Sequence, residues 1–576
     1  MKIVVKTVKF ILKTLQKKHR AKLILVSLLL LISSVLELIG LGAILPVFSV
    51  LLEDNVVEKY TWASFLYTNF SLTNEKQLIV LLAIGLFLVI VIKNLLSLWI
   101  NKFNTTFALG LSKEFSLKLH QLYYKKGFSY FKAVNSNVVV RNLRMATKQF
   151  AKMQVLGVLN LLNEFIVLIL IIVFIAIYNF KILLLLAFTV IPVFLIFYFW
   201  VRKKSVELGH ITNEITPILG KNMFQSIYGY VDVTIMGAEK QFRKKIKNNL
   251  DALVDVDVKT VIYNIAPTKV IESALMLAIC VIISFGIYYL PSKTDMVKLL
   301  GLFAVAGYRI MPSINRIMIA INGLNRCHWV FDVFKPLHDE SDKLITVKQK
   351  PLEFKKHLSL KNITFYYPDS EKPLFKDYNF KIEKGEVVGL VGPSGSGKTT
   401  LMNILLGFLK PNQGTYYIDE TPLSEANKNS FYKKVGYVQQ QVYLIDGTIA
   451  ENVAFGCPKD DIDYKKLKIV LQRANLWDMV NDLPNNVEEM IGENGTKLSG
   501  GQRQRVGIAR ALYFDSEILF FDEATSSLDE ETEKEITTAI NNLSDGKLTI
   551  IIIAHRLTTL EHCDRIIEIN NFKSNT

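Results

Sequence analysis

Cysteine is scarce in this 576-residue chain, and what there is lies scattered. Cys280, Cys327, Cys457 and Cys563 form no CxxC pair, so neither a disulfide framework nor a cysteine-ligated zinc site is expected. They are read as reduced thiols in a protein facing the cytosol. No internal repeat or low-complexity tract stands out, so the chain does not read as a solenoid or a disordered scaffold. No cleavable leader is expected either, because the N-terminal basic stretch is long and the apolar run after it is span-length, as in a retained anchor. Acidic residues are outnumbered, 52 against 68 Lys and Arg, for a formal charge of +16. Such a balance suits nucleic acid or anionic lipid, and distribution decides between them. Basic residues crowd the segment Lys2, Lys6, Lys9, Lys13, Lys17, Lys18, Arg20 and the stretch Lys113, Lys118, Lys125, Lys126, Arg141, Arg144. These positions flank long apolar runs, as the positive-inside rule describes for cytosolic loops. No nucleic-acid partner is expected.

What the chain has in abundance is apolar residues, 50% of the total, with a mean hydropathy of +0.28. They concentrate before residue 322, in six runs near 23–52, 77–100, 156–178, 181–201, 261–290 and 297–321. A span needs about 20 mostly apolar residues to cross a hydrocarbon core of roughly 30 Å. The expected organisation is a helical membrane domain over 1–335, a linker at 336–351 (PLHDESDKLITVKQKP) and an α/β domain over 352–576. Even span number puts both termini on one side, read as cytosolic, with the protein multi-pass in a bacterial inner membrane. The long connections after the second and fourth runs then extend into the cytosol. By position, Phe128–Asn135 and Ile211–Leu219 are the candidate tips that dock on the soluble domain. The first external loop carries Tyr60, Trp62, Phe65, Tyr67 and Phe70, which suits an interfacial helix or an aromatic belt.

The soluble part holds the chemistry. GPSGSGKTT, Gly392, Pro393, Ser394, Gly395, Ser396, Gly397, Lys398, Thr399 and Thr400, follows the apolar run VVGLV and precedes a helical pattern. This is a phosphate-binding P-loop in its required context: glycines let backbone N–H groups turn toward phosphate oxygens, and a helix N-terminus adds positive potential. Lys398 is expected on the outer phosphates and Thr399 on a magnesium ion. EILFFDEATSSLD places Asp522 and Glu523 at the carboxyl end of a strand, where open α/β sheets bind ligands. Asp522 is expected to support the magnesium and Glu523 to polarise an attacking water.

LSGGQRQR, Leu498 to Arg505, makes the resemblance specific. A chain with this signature, the P-loop and FFDEATSSLD in that order resembles the ATP-binding cassette family, and six spans ahead of the cassette resemble its exporter branch, the type I ABC exporter fold. The resemblance implies that ATP is held between the P-loop of one copy and Ser499, Gly500, Gly501 and Gln502 of a second identical chain. It also implies that Tyr367 stacks on adenine, that Gln440 is the Q-loop glutamine, catalytic and near the magnesium, that Asp529 forms the D-loop and that His555 is the switch histidine. Gln439 stands where the family commonly has proline. Glu493, in IGENGTKLSGG, is the candidate contact to the partner's intracellular loop. With Glu523 and His555 both present, ATP hydrolysis is expected.

For the cargo, the sixth run reads LFAVAGYRIMPSINRIMIAINGL, with Arg309 and Arg316 seven residues apart, on one helix face and about 10 Å apart along its axis. Charges at that depth are costly, so these arginines are substrate candidates for an anionic head group. The alternative is that Arg316 snorkels or pairs with Glu37, Glu164 or Glu272; Lys93 and Lys269 are ambiguous. The phrase resembles the PglK-type lipid-linked oligosaccharide flippases of bacterial protein glycosylation, which implies membrane lipids and a polyprenyl-pyrophosphate glycan as partners. The rival readings are a lipid A-like or multidrug exporter and, from another class, a regulatory membrane protein that binds ATP without transport.

Overall fold

The computed structural model describes all residues except 1, 15–16, 44–45, 48–49, 51–55, 73, 179, 290–292, 340–348, 368–369, 524–529, 544–545, 555 and 570–576. The chain forms two units, one of Met1–Lys126 with Tyr130–Leu344, the other of Ile345–Thr576 with Gly127–Ser129.

The first unit is helical. Its long elements are Lys17–Gly42, Glu75–Ala133, Leu156–Tyr178, Phe180–Tyr228, Glu239–Tyr289 and Lys293–Arg326. Among the described residues, four helical stretches are long and apolar enough to cross a membrane: His19–Glu37, Lys76–Ala133, Ser136–Val173 and Glu239–Ser284. The fourth and sixth expected runs fall on the helices Phe180–Tyr228 and Lys293–Arg326. Apolar side chains such as Ile84, Phe87, Ile92, Leu95 and Trp99 stand outward on Glu75–Ala133. In water such a stripe is a liability, whereas hydrocarbon costs it nothing. Asn74 starts this helix by accepting from the Gln77 N–H at 3.0 Å.

At its core, Phe115, Phe150 and Phe334 pack with ring centroids 4.9 to 5.5 Å apart. Phe334 comes from the helix Val330–Asp339. That helix takes in the first residues of the expected linker, Pro336 to Asp339. Val330, Phe334 and Leu337 carry a buried stripe past the proline, and the burial outweighs one lost backbone bond.

A correction concerns Ile211–Leu219, which lies inside the unbroken helix Phe180–Tyr228 rather than at a tip. Pro217 offers no N–H to the carbonyl of Asn213 four residues back. Arg141 donates to that carbonyl at 2.8 Å and to the Asn213 Oδ1 at 2.7 Å, so the freed acceptor is satisfied and the helix continues. It runs 27 residues past Trp200's neighbour Val201, about 40 Å at 1.5 Å per residue. The turn comes afterwards, at Gly229, the short helix Tyr230–Ile235 and Gly237 with φ of 61°.

The second unit has two sheets. One is antiparallel, in the order β2 (Phe375–Glu383), β1 (His357–Phe365), β4 (Gln413–Ile418), β5 (Thr421–Pro422). The other is parallel, in the order β6 (Val435–Val438), β7 (Ile518–Asp522), β8 (Thr549–Ile553), β3 (Val387–Val391), β9 (Arg565–Glu568). A parallel sheet covered on both faces reads as continuous apolar sequence, and TIIII of β8 is buried throughout. Within this unit the Phe128 ring stacks on Phe408, centroids 5.2 Å apart.

Candidate functional site

Register brings the chemistry to one edge. Ile553 on β8 pairs with Leu390 on β3 and with Asp522 on β7, so the loop after β3 and the acids after β7 leave the sheet at the same level, about 10 Å apart. Val438 pairs with Phe521, which brings Gln439 and Gln440 out beside them.

The loop after β3 is shaped by glycine. Gly392, Gly395 and Gly397 have φ of 150°, 80° and 103°. A Cβ at Gly392 would lie 2.3 Å from the Ile569 carbonyl oxygen, and one at Gly397 would lie 3.0 Å from Phe375. Gly397 caps the helix Lys398–Leu405, whose first N–H groups therefore open onto the loop. Lys398 is buried, its Nζ donating to the carbonyls of Gly392 at 2.8 Å and Pro393 at 3.0 Å. The Ser396 Oγ is buried and has no hydrogen-bond partner among the described residues. Such a cradle, with turned backbone donors, a lysine and an unpaired hydroxyl, fits a phosphate group. Pro393, Ser394 and Thr399 are exposed on its rim. Thr400 is buried behind it, its Oγ1 sharing a hydrogen bond of 2.9 Å with the Tyr367 hydroxyl. Tyr367 is half-exposed beside Phe365.

At the end of β7, the Glu523 N–H bonds to the Ile553 carbonyl at 3.0 Å, and its φ is 49°. Gln440, not its neighbours, donates Nε2–H to Glu523 Oε2 at 2.9 Å. Gln504, on the helix Gly500–Tyr513, fixes the backbone there by donating to the carbonyls of Gln439 at 3.2 Å and Gln440 at 2.6 Å. Asp522 Oδ2 accepts from the Tyr437 hydroxyl at 3.1 Å. Burial, and then the neighbouring Asp522 carboxylate, push the Tyr437 phenol far up, so it stays a donor throughout the physiological range. Tyr437 and Gln504 were missed in the sequence. The strand register Tyr437 to Phe520 is the only signal for the first, and a period-two reading of VGYV beside ILFFD could have found it. One carboxylate, Asp522, a hydroxyl, Thr399, and an amide, Gln440, form a donor set suited to magnesium, which keeps waters and takes phosphate oxygens.

Ser499 starts the helix Gly500–Tyr513 with a capping box: its Oγ accepts from the Gln502 N–H at 3.2 Å, and Gln502 Oε1 accepts from the Ser499 N–H at 2.9 Å. The LSGGQ sequence thereby presents Gly500 and Gly501 at a helix N-terminus. Glu493 is exposed in a tight turn flanked by Gly492 and Gly495 at φ of 74° and 67°. Asp529 and His555 lie outside the described residues, and so does the side chain of Arg309.

In the helical unit Arg316 bonds through Nη1 to Glu164 Oε1 at 2.8 Å. Glu164 is buried to 3% exposure, whereas the Arg316 side chain is 49% exposed. Lys93 pairs with Glu37 at 3.2 Å, and Lys269 with Glu272 at 3.0 Å.

Residues 375–526 match the family model described as ABC transporter. The chain superposes on the solved structure of a bacterial Atm1-family ABC exporter with ATP bound, TM-score 0.75, covering 96% of this chain and 94% of that one at 21% identity. The fold is that of an ABC exporter. Curated relatives include proteins named ATP-dependent lipid A-core flippase. That of Ralstonia nicotianae is 43% identical over 36% of each chain, and that of Paraburkholderia xenovorans is 32% identical over 64% of this chain and 60% of its own. That of Saccharophagus degradans is 33% identical over 64% and 61%. The chain thus spans between about a third and three fifths of the length of these relatives. The cassette of this exporter fold is the unit in which P-loop, paired acids and Gln440 converge.

Proposed function

We propose that this chain hydrolyses ATP to move a phosphate-bearing lipid between membrane leaflets, working as a pair of identical chains with the cassettes in the cytosol. The observation that carries the reading is the Glu523 carboxylate, placed at the strand end beside Asp522 and held by Gln440 at 2.9 Å. A general base must be oriented before it can act, and the hydrogen bond from Gln440 fixes this carboxylate at the strand end. Lys398 and the loop amides would bind the outer phosphates, and the Tyr367 ring would stack on the base with its hydroxyl anchored to Thr400. Asp522, Thr399 and Gln440 would hold magnesium, which supplies charge neutralisation on the phosphate oxygens. His555 and Asp529 complete the assignment by sequence.

The lipid is read as anionic because Arg316, fixed by Glu164 yet half-exposed, offers its remaining N–H groups to a phosphate. A lipid A-core-like cargo is favoured over a polyprenyl-pyrophosphate glycan, since the similar curated proteins carry lipid A-core flippase names. The two share phosphate and sugar. Carrying a charge through hydrocarbon has an idealised cost of order 20 kcal/mol, which is why such a lipid needs a protein to cross.

The test is Glu523→Gln in purified protein. Phosphate release should fall at least 100-fold, as loss of a general base typically gives, while ATP still binds; undiminished release would sink the reading. Reconstituted vesicles offered lipid A-core or polyprenyl-pyrophosphate glycan then separate the cargoes by which one is moved with ATP.

A further inference from the structure

We infer that the helical unit carries a second phosphate-recognising site, distinct from the Arg316 face: a small cavity of mixed polar and apolar lining at one end of the helix bundle, with Arg326 in its wall. The cavity is about 70 Å³. A water needs roughly 10 to 15 Å³, so there is room for several waters or one tetrahedral oxyanion. Its polar lining is Ser205, Thr260, Tyr263, Asn264, Asn322 and Arg326. Not one carboxylate lines it, which disfavours a cation. Arg326 has no carboxylate within ion-pair distance among the described residues, unlike Arg316, Lys93 and Lys269. Arg326, whose side chain also bonds the buried Cys327 thiol, shares the cavity wall with amides and hydroxyls, a combination of donors that suits a phosphate.

The walls are fixed before anything binds. Asn322, 6% exposed, donates Nδ2–H to the Tyr263 carbonyl at 3.3 Å and to Asn264 Oδ1 at 3.2 Å, tying Lys293–Arg326 to Glu239–Tyr289. With its oxygen engaged, Asn264 is left with its amide N–H groups to donate. Thr260 spends its hydroxyl proton on the Val256 carbonyl at 2.8 Å. Gly209 brings Phe180–Tyr228 hard against the backbone of Arg326, where a Cβ would stand 1.9 Å from the carbonyl oxygen. Ser205, 4% exposed, comes from that same helix. Three helices therefore hold the polar groups in place, and little order remains to be imposed on binding.

Location suggests the source of the phosphate. Ser205 follows the fourth expected span, Thr260 to Asn264 open the fifth, and Asn322 and Arg326 follow the sixth, so the cavity lies at one common end of these spans. On the even-span topology this is the cytosolic end, the depth of inner-leaflet head groups. Ile319, 44% exposed, adds an apolar lip where an acyl chain would leave. A lipid phosphate fits both features. The depth rests on the proposed topology; the chemistry does not.

The experiment uses the full chain in detergent without nucleotide. Binding of dioctanoyl phosphatidic acid, of inorganic phosphate and of phosphate-free dioctanoylglycerol is counted by native mass spectrometry. Phosphatidic acid should bind, and Arg326→Gln should weaken it at least tenfold while Arg316→Gln changes it less. Asn264→Leu gives a second reading, also weakened, should the arginine variant fail to fold. Inorganic phosphate binding that Arg326→Gln also weakens assigns the site to the free oxyanion, and Arg326-dependent binding of the lipid alone assigns it to the head group; both support phosphate recognition. Equal affinity for the phosphate-free lipid, or unchanged affinity in the folded variants, overturns it. Because no ATP is present, failure here is separate from failure of ATP-driven movement.

Discussion

Arg316 and Glu164 are bound to each other yet differ in what each loses if the partner goes. Glu164 is 3% exposed, and its Oε2 has no hydrogen-bond partner among the described residues. Removing Arg316 strands a buried carboxylate, a situation that costs about 3 to 5 kcal/mol. Removing the Glu164 charge leaves an arginine that is 49% exposed and can reach a polar surface, so the loss should be nearer 1 kcal/mol. Arg316→Leu is therefore expected to destabilise far more than Glu164→Gln, and the pair Arg316→Leu with Glu164→Leu should recover most of the loss. Unfolding of the four proteins in one detergent checks this. Equal single losses would mean the pair is not the anchor described. The same contact explains how a charge on the sixth run is tolerated, which the sequence could frame only as a choice among Glu37, Glu164 and Glu272. Residue spacing names candidates on a helix face; it does not say which neighbouring helix supplies the counter-charge.

Between elements, legibility followed locality. The P-loop could be read because each glycine answers a backbone demand within a few residues, as the φ values at Gly392, Gly395 and Gly397 bear out. The buried strands VVGLV, ILFFD and TIIII could be read for the same reason. What escaped were contacts between distant elements. Position alone suggested a tip at Ile211–Leu219, whereas Arg141, 72 residues from Asn213, satisfies the carbonyl that Pro217 frees and the helix continues. Tyr437 reaches Asp522 across a strand pair, and Gln504 reaches the Gln440 backbone from the signature helix. That last bond links the segment expected to meet a partner's nucleotide with the glutamine that holds Glu523. Burial lowers the Arg510 guanidinium to about 10, still charged at neutral pH, and the same helix uses it to bond the carbonyls of Asn452 and Tyr443 at 2.8 Å.

For the molecule as a pair, the proposal makes each nucleotide site a composite of one copy's P-loop and the other's signature. A chain with Lys398→Ala and a chain with Ser499→Arg should each be inactive alone. Assembled together they should regain a substantial fraction of turnover, because one of the two sites then has an intact P-loop facing an intact signature. ATPase measured on purified mixed pairs decides it; activity no higher than either parent would point to sites complete within one copy. Glu523 adds a last consequence. Its backbone sits in the left-handed region at φ of 49°, which costs an ordinary side chain roughly 1 to 2 kcal/mol and costs glycine or asparagine much less. On the proposed role of Glu523 as the base, heat resistance and turnover pull position 523 in opposite directions. A laboratory lineage chosen only for toughness would drift toward Asn or Gly there, gaining a sturdier cassette and an idle one.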